Sequence, residues 1–405
     1  MPNADRILFL HIPKTAGTSL KHYLFHRFSA KECLLDPGPR ATQEANFDDY
    51  AFVAGHFDFD YVDRYRRPPF VLTCLRNPID RALSAYHYQR TPRLRMEIQS
   101  IAAKIGNDTA AQVLDEIRRL NDCANLAAFL RREPELAQKN LGNVQTRFLA
   151  GASAVSTSAQ QQRDLLTLAK KHLEACAGLL LTEFMTESLA GLGPHFGHDE
   201  FGAMPHDNAT SETRSAEPPE TMAALAELTD LDLELYRCAH QLWWERRRAL
   251  RNPVAHANCL RDRLPDAAEF TFDQPIRGRG WHIREQAGDG WYCWSDQEAT
   301  LHLALTTSGP HLLRFWVEHA ASSEALQCLE VQVNGTAVSF RAVQMGARVL
   351  MEARVSAEAL CAPADHVCIA FRVLHTVRPS DRNPMNPDIR RLGIALSRLQ
   401  LQPCD

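Results

Sequence analysis

The stretch HIPKTAGTS, residues 11–19, sets a cation, three hydroxyls and a glycine between an apolar run, ILFLHI at 7–12, and a helix-patterned run, TSLKHYLFHRF at 18–28. A strand, a tight loop and a helix in that order aim backbone N–H groups and the positive end of a helix at one point, which is the chemistry of holding a phosphate. The lysine stands at the front of the loop, at Lys14, and no glycine opens it. The ordinary nucleotide loop, GxxxxGK[ST], opens on glycine and carries its lysine near the end. That difference weakens ATP and GTP as ligands. Taken alone, the loop is also readable as a surface turn that contains Lys and Gly.

A second group follows in TCLRNPIDRALSAYHY, residues 73–88. An apolar run ends, Arg76 stands at its tip, and a proline-initiated helix begins, with Ser84 eight residues after Arg76 and about two turns in. An arginine at a strand end and a hydroxyl on the next helix can grip a second phosphate. The plain alternative is a capped helix with one exposed arginine. A third candidate is His56, at the end of the apolar run YAFVAGH, 50–56. A doubly wound sheet places its ligands at the carboxyl ends of its strands, and histidine exchanges a proton near neutral pH. A lone histidine after a strand is otherwise a structural residue.

The elements that must position these groups are short apolar runs alternating with helical patterns. Besides 7–12 and 50–56, FVLTCL (70–75) and AGLLLTE (177–183) read as buried strands, and helical periods run through 78–90, 97–132, 160–176 and 225–250. Such alternation predicts an α/β fold, a P-loop-like parallel sheet flanked by helices, over residues 1–250. Residues 251–268 read as a linker. From 269 to 405 the runs are short, alternating and turn-punctuated, and Asn334-Gly335 between two of them is a tight-hairpin signal. This predicts an antiparallel, jelly-roll-like β-sandwich.

Composition restricts the function classes. The chain of 405 residues is 45% hydrophobic and 23% charged, with net charge −4, which gives no global attraction to nucleic acid. Locally, Tyr61–Arg95 holds eight arginines against Asp63 and Asp80, a surface suited to an anion or simply a solvated face. No apolar stretch is long enough to span a membrane. The eleven cysteines include no CxxC pair. With a start too acidic and an apolar run too short for a signal peptide, they set the expectation of reduced thiols in a cytoplasmic protein. His22 and His26 are spaced i, i+4 on a helix but lack a nearby third ligand, and His195, His198 and His206 form a loose loop cluster, so no metal is expected.

HIPKTAGTS followed by LRNPIDRALSAYHY resembles the two donor-binding signatures of the sulfotransferases that use 3′-phosphoadenosine 5′-phosphosulfate (PAPS), in particular the carbohydrate sulfotransferases related to heparan sulfate 2-O-sulfotransferase and their bacterial relatives. The resemblance covers roughly residues 5 to 215. It implies that Lys14, Thr15, Ala16, Gly17, Thr18 and Ser19 hold the 5′ end of the donor, that Arg76 and Ser84 grip its 3′-phosphate, and that His56, in VAGHFDF, is the general base. GNVQTRFLAG (142–151) resembles the segment lining the acceptor cleft, which makes Asn143 and Gln145 substrate-binding candidates. HDNATSETR (206–214) resembles the loop over the nucleotide, which adds Asn208 and Arg214.

The chemistry is consistent with that resemblance. Sulfuryl transfer is an in-line displacement by a hydroxyl, so a base must take the acceptor proton and a cation such as Lys14 must meet the charge on the departing nucleotide. No metal is required. Arg90 and Arg93, beside Tyr86, His87 and Tyr88, suit an acidic sugar, and a uronate-containing glycan is the narrower expectation. Trp281, Trp291, Tyr292 and Trp294 near the start of the β-domain suit either sugar stacking or a sandwich core, and the resemblance of this region to modules on bacterial sugar-modifying enzymes makes it a glycan-binding candidate. The expected function is a PAPS-dependent transfer to a carbohydrate hydroxyl. A lipid or peptide acceptor, and a non-catalytic glycan-binding protein with a degenerate transferase domain, remain the alternatives.

Overall fold

The computed structural model describes residues 6–151, 159–196, 217–250, 266–288, 290–305, 309–360, 367–383, 386 and 388–404. It divides into two compact units. The first comprises Met1–Lys21 and Glu32–Val254, and the second comprises His22–Lys31 and Ala255–Asp405.

The first unit is built on a parallel sheet of β1 (Ile7–Leu10), β2 (Cys33–Leu35), β3 (Phe52–Gly55), β4 (Phe70–Leu75) and β5 (Gly178–Leu181), in the order β2-β3-β1-β4-β5. Every residue of β1, β3, β4 and β5 is buried. That is what continuous apolar runs of four to six residues require, since a parallel sheet is covered on both faces. The helices that matter to the site are α1 (Gly17–Phe25), α2 (Pro78–Gln89), α3 (Pro92–Ser100), α4 (Pro134–Asn140), α5 (Val144–Ala150), α6 (Ala159–Ala175) and α7 (Asp230–Leu250). One core joins the sheet to α5, α6 and α7 through Leu8, Leu10, Val71, Leu149, Leu173 and Leu235. A second gathers Ala82, Leu83 and Tyr86 of α2 with Leu120, Phe129 and Leu141. α2 starts where the sequence says it should. Pro78 occupies its first turn and the Asn77 side chain caps it, accepting from the N–H groups of Ile79 and Asp80.

Among the described residues the second unit holds ten antiparallel strands, β6 (Ala268–Thr271), β7 (Gly278–Ala287), β8 (Gly290–Leu303), β9 (His311–Ala320), β10 (Leu329–Val333), β11 (Thr336–Val338), β12 (Arg341–Met345), β13 (Arg348–Val355), β14 (Val367–Val373) and β15 (Ile394–Pro403). All belong to one hydrogen-bonded ladder. β15 pairs with β6, β8 and β9, and β8 with β7, β14 and β15, so the sheet curls around a single core of inward residues such as Leu301, Phe315, Ile369 and Leu399. The expected hairpin is present: Asn334 and Gly335 both have positive φ, 48° and 82°, between β10 and β11. Of the tryptophans, Trp281 is buried against Phe272 and Phe371, Trp291 packs on the core edge, and Trp294 stays half-buried beside His319.

Candidate active site

Four strands of the first unit end at one edge of the sheet, β4 and β5 two residues beyond β1 and β3, and the residue after each one faces a common cleft. His11 follows β1, His56 follows β3, Arg76 follows β4 and Thr182 follows β5. The pairings Leu10↔Gly55, Leu10↔Thr73 and Leu75↔Leu181 fix their relative heights. The cleft has a volume of about 710 Å³ and lies at the carboxyl edge of the sheet, the place such folds give their ligands.

The loop between β1 and α1 forms one wall. Lys14 and Ala16 hold φ of 70° and 62°, a left-handed conformation that residues with a Cβ rarely adopt. Strain of this kind persists only where the surroundings enforce it. Here Thr15, fully buried between them, donates its hydroxyl to the Ile12 carbonyl (2.9 Å), and its own carbonyl accepts from the Thr182 hydroxyl (3.1 Å). A Cβ on Gly17 would lie 1.9 Å from Cδ2 of His11, so only glycine fits. Ala16, Gly17, Thr18 and Ser19 line the cleft at the amino end of α1, whereas Thr15 lies behind them.

Arg76 and Ser84 form the opposite wall. The Arg76 guanidinium donates to the Lys14 carbonyl (3.2 Å), which ties the two walls together. The Arg76 backbone is held at both of its polar groups by one side chain. Its N–H donates to Oε1 of Gln145 (2.9 Å), and its carbonyl accepts from Nε2 (3.0 Å). Gln145, expected to line the acceptor cleft, is fully buried and its amide is occupied in placing Arg76. Asn143 is placed alike. With φ of 48° it bonds the Asp230 carboxylate (3.0 Å) and the Asp232 N–H (3.1 Å), outside the cleft. Asp232, fully buried, in turn accepts from the N–H groups of Gln145 and Thr146 and from the Thr146 hydroxyl. Arg90 also points elsewhere, to the Tyr86 hydroxyl (2.8 Å) and the Cys123 carbonyl (3.0 Å). Arg93 pairs with Glu97 (2.7 Å) and does not line the cleft. Asn208 and Arg214 lie outside the described residues.

The cleft contains Tyr88, expected beside an acidic sugar, and groups that carried no expectation: Arg81, Lys139, Arg147 and Thr182. Arg81, Ser84, Ala85 and Tyr88 fall at helical spacing along one face of α2, a signal the motif itself carried. Among the described residues every charged side chain lining the cleft is a cation: Lys14, Arg76, Arg81, Lys139 and Arg147. Arg81 is only 1% exposed and donates to the Leu141 carbonyl (2.7 Å). Burial brings its pKa down to about 10, against the pull of Asp232, which leaves it charged at neutral pH. Lys14 is lowered further, to about 8, by burial first and then by the cations Arg76 and Arg93.

His56 has its Nδ1 against the His11 carbonyl (2.8 Å) and its ring stacked on that of His11, with centroids 4.4 Å apart. The carbonyl fixes Nδ1 as the donor of a neutral ring and leaves Nε2 as the acceptor. Crowding by protein atoms lowers its pKa, although the ring keeps a solvent-facing edge on the cleft. The set can therefore hold anions at both walls and take a proton at the imidazole Nε2.

Residues 1–168 match the sulfotransferase family. The chain carries a sulfotransferase family domain. The chain, a transferase by that domain, is 26% identical to chicken heparan-sulfate 6-O-sulfotransferase 2 over 319 residues, 70% of this chain and 76% of that one. The solved mouse sulfotransferase SULT7A1, complexed with PAP, covers 60% of this chain and 90% of its own at 13% identity, with a TM-score of 0.31. The α-glucuronidase BtGH115A covers 89% of this chain and 47% of its own at 9% identity, with a TM-score of 0.23. The family match spans the loop of Lys14, the strand end of His56 and the Arg76–Ser84 helix together. Among the described residues, no group of three or more His, Cys, Asp or Glu side chains is placed to hold a metal ion.

Proposed function

We propose that the protein moves a sulfuryl group from PAPS to a hydroxyl of a carbohydrate. The observation that carries this reading is one cleft, at the carboxyl ends of the parallel strands, lined by Lys14, Ser19, Arg76 and Ser84 and by the ring of His56. Two separated anion grips suit a donor with a 5′-phosphosulfate and a 3′-phosphate. The strained loop and α1 amide groups serve the first, and Arg76 with Ser84 serves the second. In the reaction His56 Nε2 takes the proton of the acceptor hydroxyl. The acceptor oxygen forms a bond to sulfur as the bond from sulfur to the 5′-phosphate oxygen breaks. Lys14 meets the charge on that oxygen, and the products are a sulfate ester and 3′-phosphoadenosine 5′-phosphate (PAP).

The acceptor is read as a glycan because the curated relative is a heparan-sulfate sulfotransferase. A uronate-containing chain suits the surplus of cations, since Arg81, Lys139 and Arg147 line the cleft in addition to the residues assigned to the donor. The test is thermal unfolding with PAP, ADP and ATP in the absence of magnesium. A ligand at 100 times its Kd stabilises by about 2.7 kcal/mol. The reading predicts a shift with PAP that ADP and ATP do not match and that Arg76→Ala removes. An equal response to ATP, or none to PAP, contradicts it.

A further inference from the structure

Lys14 stands among like charges. Arg76, Arg93 and Arg81 all disfavour its charge, the Glu97 carboxylate favours it, and no carboxylate lines the cleft among the described residues. A flexible side chain so placed swings toward solvent unless something holds it. Its backbone is held by the Arg76 guanidinium at the carbonyl. Its ammonium lies over the ring of Tyr88, 3.8 Å from the centroid. The Tyr88 hydroxyl donates to the Glu97 carboxylate, which also accepts from Nε of Arg93 (2.7 Å). The turn from α2 to α3 brings Glu97 to that hydroxyl: the Thr91 side chain caps α3 at the N–H of Leu94 and donates to the Tyr88 carbonyl (2.7 Å).

We propose that Tyr88 is a positioning residue for Lys14: its ring face holds the ammonium at the donor end of the cleft, and Glu97 holds the ring. A ring face attracts a cation without cancelling its charge. A carboxylate in the same place would form an ion pair and compete with the departing phosphate for Lys14. The arrangement therefore keeps the lysine in place and available. This role rests on the donor reading, but the geometry itself can be tested apart from it.

The first measurement is independent of turnover. In protein whose lysines are reductively methylated with carbon-13, the Lys14 methyl signal, assigned by its loss in Lys14→Arg, is expected to be displaced upfield by the ring. The displacement persists in Tyr88→Phe and vanishes in Tyr88→Leu. A Lys14 signal at the ordinary position in the wild-type protein overturns the proposal whatever the protein catalyses. The second measurement is kcat/KM for PAPS against pH. Tyr88→Leu is expected to lower kcat about tenfold, between the values of an exposed and a desolvated cation–ring contact. It also brings the alkaline fall in kcat/KM to lower pH, because the ring favours the charged lysine, while PAP affinity stays within about twofold. Tyr88→Phe, which keeps the ring face but lacks the hydroxyl that Glu97 holds, gives a smaller change in the same direction. A purely structural Tyr88 would leave the limb where it is, as would a ring that never meets Lys14, and an unmoved limb in a folded Tyr88→Leu variant overturns the proposal. Absence of PAP binding in the wild type sinks the donor reading alone, because the methyl signal still decides the contact.

Discussion

In the proposed reaction His56 and Lys14 make opposite demands on pH. The base must be neutral, and burial lowers the His56 pKa from its usual 6.5, so activity is lost as pH falls through a value below 6.5. The cation must be protonated, and its pKa of about 8 means that activity is lost as pH rises through that value. The profile of kcat/KM for PAPS is expected to be a bell with its plateau between those limits, and a rate still rising past pH 9 would contradict the role given to Lys14. His56→Ala is expected to lower kcat by about 100- to 10 000-fold, the range of a general base, with PAP affinity unchanged in a titration. These residues were legible because motif spacing and residue type reported them directly. Arg147 was not, because a buried guanidinium on a cleft wall is a product of tertiary packing, whereas Arg81 shares the α2 face of Ser84 and was readable from it. Asn143 and Gln145 were legible as important residues but not in their use, since nothing local says that the Gln145 amide closes on the backbone of Arg76 69 positions away.

At the scale of elements, the site depends on two junctions, β1 to α1 and β4 to α2. In the first, Gly17→Ala drives a methyl into the His11 ring at 1.9 Å, so the loop must open. The PAP concentration that gives the same thermal response should rise more than tenfold, while circular dichroism still shows a folded chain. In the second, Gln145→Leu leaves the N–H and carbonyl of Arg76 without their partners at a cost of about 1–3 kcal/mol for each group that stays dry. Urea unfolding should show that loss, with weaker PAP binding beside it, whereas an unchanged midpoint would mean that water replaces the amide. Both junctions could be read from sequence, because continuous apolar runs ending in Pro/Gly or Arg-Asn-Pro mark buried strands and a helix start. The edge strand Cys33–Leu35 could not be read, since its three half-buried residues carry neither a run nor an alternation.

At the scale of the whole molecule, the chain has two units but the division is not a single cut. His22–Lys31 belongs with the β-rich unit, where Ala30 N–H donates to the Asp273 carbonyl (2.7 Å) and Ile276 N–H to the His26 carbonyl (2.7 Å). Buried Arg284 donates to the carbonyls of Phe25, His26, Phe28 and Gln274 and lies over the Phe25 ring. Helical periodicity runs smoothly to Phe28, so nothing local announces that residues 22–31 pack with partners 250 positions away. Arg284→Met is expected to cost about 3 kcal/mol or more, because several buried carbonyls lose a charged donor at once. Calorimetry of the full chain measures that loss, and a midpoint within a degree of the wild type would contradict it. Among the described residues no helix is long and apolar enough to cross a membrane.

The account stands most directly on transfer itself. The decisive measurement is the movement of radiolabelled sulfate from PAPS to a panel of desulfated polysaccharides, with and without uronate, by the wild type, His56→Ala and Lys14→Ala. The account predicts label on a uronate-containing polysaccharide with the wild type, equal release of PAP, and loss of about 100-fold or more in His56→Ala despite intact PAP binding. Label transferred equally well by His56→Ala, or no label on any polysaccharide while PAP is bound, would contradict it.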